Sequence, residues 1–211
     1  MPARALLMDL DGTLVDSLAD IAASVDHVRV AFGLAPLGKE RVRTIVGDGA
    51  LLLLASAFAD LAAPPPLEEL WPVYEAHHER QCVKLVTAYP GVVEALARWR
   101  KDGLATAVVT NKPLRFARRV LEHVGVHVDE VIGGDSLAER KPSPAPLLEA
   151  LRRLDVAPRD AAMVGDGLQD LRAGKAAKLR TIAALYGFRD PAELRREGAD
   201  EYWVRFGVSE D

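Results

Sequence analysis

In LLMDLDGTLVDS, Leu6 to Ser17, an apolar run stops at two aspartates one residue apart. Carboxylates at i and i+2 of an extended segment face the same way and repel unless a cation lies between them. Other apolar runs stop in the same manner. Thr110 and Asn111 follow LATAVV, Lys141 stands in RKPSP, and Asp166 and Asp170 stand in VGDGLQD. With no His or Cys among them, these carboxylates are hard oxygen donors suited to Mg²⁺ rather than Zn²⁺. Lys141 and Thr110 offer a cationic and a hydroxyl donor to a tetrahedral oxyanion. Gly12 lets N–H groups around Leu10 and Asp11 approach phosphate oxygens. A carboxylate nucleophile beside a divalent cation and an ammonium suits phosphoryl transfer, with an aspartate as the covalent acceptor.

For these residues to meet, their strands must end at one sheet edge. The pattern predicts strands over 104–110, 130–134, 161–166 and 179–185, alternating with helices over 113–125, 143–155 and 168–178. Such alternation implies a doubly wound parallel sheet with helices on both faces, ligands binding where the strands' carboxyl ends diverge. ARALLMD is apolar throughout, as a central parallel strand should be, and joins that sheet. Residues 15–86 break the rhythm with four helical patterns, 17–33, 39–47, 49–62 and 67–85, punctuated by Gly33, Gly38, Gly47 and Pro64–Pro66. The expected division is a core of residues 1–14 and 87–211 around an inserted helical unit of residues 15–86.

Composition narrows the partners. The chain has 211 residues, 49% of them hydrophobic, enough for a sizeable core, and a net charge of −4 that disfavours nucleic acid or an anionic membrane. Cys82 is the single cysteine, so no internal disulfide forms; a reducing compartment and a packing role fit it. Asp9 and Asp11 interrupt the only apolar run near the start, so no signal peptide is expected, and a cytoplasmic monomer or homodimer is the expectation. Several polar residues read as structural. Arg115, Arg118 and Arg119 form a solvated helix face, Asp16 and Asp20 suit a helix start, and Arg29, Arg41 and Arg43 are read as surface charges. His77 and His78, adjacent on one helix, face different directions, and His27, His123 and His127 stand alone.

DLDGTLVDS (9–17), VVTNK (108–112), RKPSP (140–144) and VGDGLQD (164–170) together resemble the four ordered motifs of the haloacid dehalogenase-like hydrolase superfamily. PGVVEAL and DLRAGKAAKL are similar to the branch containing phosphoglycolate phosphatases. The resemblance implies a Rossmann-like α/β core with an all-helical C1-type cap. It implies that Asp9 is the nucleophile, forming an aspartyl-phosphate, and that Asp11 is the general acid and base, its backbone carbonyl on Mg²⁺. Thr110, the Asn111 backbone and Lys141 would hold the phosphoryl group. Asp166 would bind the metal directly, and Asp170 would act through a metal-bound water or Lys141. Gly47, Asp48 and Gly49 match a cap loop that relatives dip into the site. The implied activity is Mg²⁺-dependent hydrolysis of a small-metabolite phosphate ester, with phosphoglycolate leading. A sugar-phosphate mutase and a catalytically idle phospholigand- or partner-binding relative are the alternatives. Lys178 stands where relatives commonly have Gly, which predicts a lysine in a left-handed conformation or a different helix end.

Overall fold

The computed structural model describes residues 3–210. In chain order it contains β1 (Ala5–Met8), β2 (Val15–Asp16), α1 (Leu18–Ala31), α2 (Lys39–Arg43), α3 (Ala50–Ala57), α4 (Leu67–Gln81), β3 (Thr87–Ala88) and α5 (Val92–Lys101). It continues with β4 (Ala105–Val109), α6 (Leu114–His123), β5 (Glu130–Ile132), α7 (Ala145–Leu154), β6 (Ala161–Gly165) and α8 (Leu168–Ala176). The chain finishes with β7 (Arg180–Ala184), α9 (Pro191–Glu197), β8 (Glu201–Arg205) and β9 (Val208–Ser209).

Seven strands form one sheet in the order β5-β4-β1-β6-β7-β8-β9. All neighbours are parallel except β8 and β9, giving the α/β doubly wound sheet expected from the alternation. β1 lies between β4 and β6 with all four residues buried, which is why its sequence is apolar without alternation. Its odd and even residues feed opposite layers. Leu6 and Met8 join Phe116, Val120 and Leu121 of α6, whereas Ala5 and Leu7 join Leu147, Ala150 and Leu151 of α7.

Between β2 and β3 run α1 to α4, which share an apolar core of their own containing Val25, Val28, Leu54, Phe58 and Leu70. Phe188, from the loop after β7, inserts into that core. β2 and β3 pair antiparallel, Val15 opposite Ala88 and Asp16 opposite Thr87, tying the outgoing and returning chain together.

Several elements differ from the sequence expectation. α4 stops at Gln81 rather than 85, because Asp20 of α1 accepts the N–H groups of Leu85 and Val86 at 3.0 and 2.9 Å and draws the chain out of the helix. Asp20 is therefore a fully buried clamp between α1 and the end of α4, not merely an acid at a helix start. α5, α9, β8, β9 and the β2–β3 pair are elements beyond the sequence expectation. Lys178 adopts φ +60 after α8, with the Leu179 N–H returning to the Gly174 carbonyl at 2.9 Å, so the helix closes in the left-handed way that usually takes Gly. Among the described residues, no helix is long and apolar enough to cross a membrane.

Candidate active site

Three neighbouring strands deliver the polar groups to one edge. Asp9 follows β1, Thr110 follows β4 and Asp166 follows β6, and β1 pairs with both others, so Asp9 stands in the middle. Lys141, from the loop between β5 and α7, reaches back under this edge with a side chain 1% exposed. Its Nζ donates to the Val109 carbonyl at 2.5 Å and lies 3.0 Å from Asp9 Oδ1 and 2.6 Å from Asp170 Oδ1. Burial alone would pull the ammonium down, but Asp170 and Asp9 outweigh it and hold its pKa above the ordinary lysine value. Asp9 Oδ1 also accepts the Leu10 N–H at 2.7 Å, while its Oδ2 takes no hydrogen bond among the described residues.

Asp9, Asp166 and Asp170 form a buried carboxylate cluster in which one oxygen from each lies within 4.8 Å of the others. Asp166 accepts Thr13 Oγ1 and the Phe188 N–H, both at 2.8 Å, and Asp170 accepts the Gly167 N–H at 2.9 Å. Burial first, then repulsion from Asp9 and Asp170, pushes the Asp166 carboxyl up to about 8. Burial and Asp9 also raise Asp170, against the opposing pull of Lys141. One ammonium against three carboxylates leaves the cluster short of positive charge. An all-oxygen donor set of this kind fits a hard divalent cation. The loop is built to permit the approach: Gly12 has φ +86, and a Cβ there would stand 2.2 Å from Asp166 Oδ2.

The Asp11 carboxylate is outside that cluster. It accepts Ser17 Oγ at 2.5 Å and pairs with Lys112 Nζ at 3.0 Å. Lys112 is the second cation at the site. It sits in VVTNK but its chemistry is not legible there, because nothing local shows which way its side chain runs. Thr110 Oγ1 accepts the Lys112 N–H at 3.2 Å, which turns the chain after β4. Asn111 Nδ2 donates to the carbonyls of Lys141 at 3.0 Å and Gly47 at 3.1 Å.

Asp9, Asp11, Thr110, Asn111, Lys112 and Asp166 line a pocket whose opposite wall comes from the helical segment, with a cavity volume of about 60 Å³. Gly47 and Gly49 line it, and the Gly47 carbonyl also receives Gln169 Nε2 at 3.3 Å. Asp48 is exposed and does not line it, so only the flanking glycines of that loop reach the pocket. Of the arginines read as surface charges, Arg29 is 4% exposed and ties α1 to Ala57 and Asp60. Arg43 lines the pocket. His78 lines it too, while His77 stacks on His27 with ring centroids 4.1 Å apart, so His27 is not isolated. Pocket residues from α1 to α4 escape sequence reasoning because their helices converge only through the tertiary fold.

Comparison with known proteins agrees with this architecture. A family model described as haloacid dehalogenase-like hydrolase matches residues 6–184. A curated relative from Pseudomonas aeruginosa, phosphoglycolate phosphatase 1, is 37% identical over 202 residues, covering 92% of this chain and 74% of its own. From the same organism, N-acetylmuramic acid 6-phosphate phosphatase is 35% identical, covering 92% of this chain and 86% of its own. Among solved structures, a predicted phosphoglycolate phosphatase from Haemophilus somnus superposes with TM-score 0.90 at 27% identity, covering 97% of this chain and 95% of that one. With the family match spanning most of the sheet and every one of the four motifs, the chain belongs to the haloacid dehalogenase-like hydrolases.

Proposed function

We propose that the protein is a Mg²⁺-dependent phosphatase that hydrolyses the phosphate monoester of a small metabolite, with phosphoglycolate the first candidate, through a phosphoryl group carried on Asp9. The observation that carries this reading is the buried cluster of Asp9, Asp166 and Asp170 around Lys141, with Asp9 and Asp166 lining the pocket. Asp9, Asp166 and the Asp11 carbonyl would hold Mg²⁺, with Asp170 behind them; when bound, the ion neutralises charge on the carboxylates and on the transferring phosphoryl group. Lys141 and Thr110 orient that group. An Asp9 carboxylate oxygen attacks phosphorus and the ester P–O bond breaks. Asp11 gives its proton to the departing alkoxide. Asp11, now a carboxylate, takes a proton from water, whose oxygen attacks phosphorus to release inorganic phosphate and restore Asp9.

Residues 15–86 act in this reading as the cap, which excludes water and reads the leaving group. The names of the two Pseudomonas aeruginosa relatives, phosphoglycolate phosphatase and N-acetylmuramic acid 6-phosphate phosphatase, both denote phosphate esters of an acid. Arg43, on the cap side of the pocket, supplies the cation such an acid needs. The buried Cys82 suits a reducing, cytoplasmic setting. The test is phosphate release from phosphoglycolate. It should require Mg²⁺, stop on chelation and vanish in Asp9→Asn. Release that survives Asp9→Asn, or sugar phosphates interconverted with no net release, would overturn the reading.

A further inference from the structure

One polar atom in the pocket wall has no use in the steps above. His78 of α4 is 1% exposed, and its Nε2 is buried without a hydrogen-bond partner. The ring is held on its other sides. It stacks on Tyr74 with centroids 4.9 Å apart and meets Phe116 edge-on, also at 4.9 Å. Its Nδ1 lies 2.8 Å from Ser24 Oγ. A buried polar group left unpaired costs stability, so a ring fixed this firmly beside a ligand pocket calls for a partner that arrives with the ligand.

The neighbours also fix what that partner must be. Ser24 has one hydroxyl proton, and its Oγ donates to the Asp20 carbonyl at 3.0 Å. The same Oγ lies 2.8 Å from His78 Nδ1 and 3.2 Å from His77 Nδ1. All three contacts are satisfied together only if both rings carry their proton on Nδ1 and donate to Oγ. Burial holds His78 far below the ordinary histidine range, so the ring is neutral. Nε2 is then a lone pair, a buried acceptor with no donor on a residue that lines the pocket.

We propose that His78 is a specificity-determining residue whose Nε2 accepts a hydrogen bond from a free hydroxyl on the leaving group. The substrate class is then a phosphate ester of a hydroxy acid, its acid group at Arg43 and its remaining hydroxyl at His78. Phosphoglycolate, once esterified, has no free hydroxyl and engages only Arg43. This inference rests on the phosphatase reading and narrows it.

The test compares two esters that differ by one hydroxyl: phosphoglycerate with its phosphate on the terminal carbon, and its deoxy analogue phosphonooxypropanoate. A site built to bond a hydroxyl discriminates against the analogue lacking it, so the wild-type kcat/KM ratio should favour phosphoglycerate by about tenfold or more. In His78→Phe the ratio should fall to within about twofold of unity. Because a ratio cancels the concentration of folded enzyme, partial misfolding of a variant does not mimic the result. Ser24→Ala, which releases Nδ1 and lets the proton move to Nε2, should lower the ratio as well. A wild-type ratio near unity, or a ratio unchanged in both variants, overturns the proposal. Turnover of p-nitrophenyl phosphate but of neither ester overturns it while sparing the phosphatase reading. Absence of phosphate release from all three compounds overturns both.

Discussion

At the scale of single residues, the site is a problem in charge. Asp166 is raised to about 8, by burial first and by Asp9 and Asp170 next, from an ordinary value of 3.8. A carboxyl whose folded pKa lies above its unfolded one holds a proton that the unfolded chain has released. The metal-free protein therefore loses stability as pH climbs between those two values, and the loss is complete above the higher one. A divalent cation compensates the same charge. The rise in Tm on adding Mg²⁺ to stripped protein should thus be larger near pH 8 than near about pH 5. Thermal unfolding at the two pH values checks this, and equal increments would mean that the ion is seated elsewhere. Lys112 poses a separate question, since it and Ser17 together fix where the Asp11 carboxylate points. Lys112→Met should lower kcat by roughly 10- to 100-fold through misplacement of Asp11. A phosphate-release assay on folded variant measures it; an unchanged kcat would show that Ser17 alone suffices.

Elements place those residues, and at this scale the sequence was legible where a single segment decides its own fate. β1, β4, β6 and β7 were visible as apolar runs because a central parallel strand is buried on both faces. The aspartates that follow β1 and β6 stood out because nothing in folding asks for them. What escaped is decided between segments: the two-residue strands β2 and β3 carry no periodicity, and Asp20 looked like an ordinary first-turn acid. Its real work is to accept Gln81 Nε2, 61 residues away, at 2.8 Å as well as the Leu85 and Val86 N–H groups, joining α1 to the end of α4. Asp20→Ala leaves the buried Val86 N–H and Gln81 amide without their acceptor, at a cost of about 3 kcal/mol. For a chain of this length that lowers Tm by roughly 6–12 °C, which calorimetry would read. A fall of only a degree or two would mean that the α4 exit finds other acceptors. Gly12 is the matching case in the core: with φ +86 and Asp166 pressed against it, Gly12→Ala should abolish phosphate release.

Across the whole molecule, the pocket exists only while the helical segment and the sheet stay together. Besides the Arg115–Glu75 and Arg119–Glu79 ion pairs and the His78–Phe116 contact between α6 and α4, two kinds of contact join them. The chain crosses through the β2–β3 pair, and Phe188 plugs the helical core from the sheet side. Over the site itself, the carbonyl of Gly47 is held by Asn111 Nδ2 at 3.1 Å and by Gln169 Nε2 at 3.3 Å. Both donors come from strand ends or first helical turns of the sheet unit, so this one carbonyl reports closure to both halves of the site. A neutral hydrogen bond of this kind contributes about 1 kcal/mol, which is about a fivefold shift in an open–closed equilibrium. Gln169→Leu keeps the packing volume and removes the donor. KM for a small phosphate ester should then rise by up to about fivefold, while amide exchange across residues 45–50 accelerates and Tm hardly moves. Steady-state kinetics and hydrogen exchange on the same variant measure both effects. If KM and exchange each stay at the wild-type level, the Gly47 carbonyl is not a latch, and the two parts are held by Phe188 and the α4–α6 contacts instead.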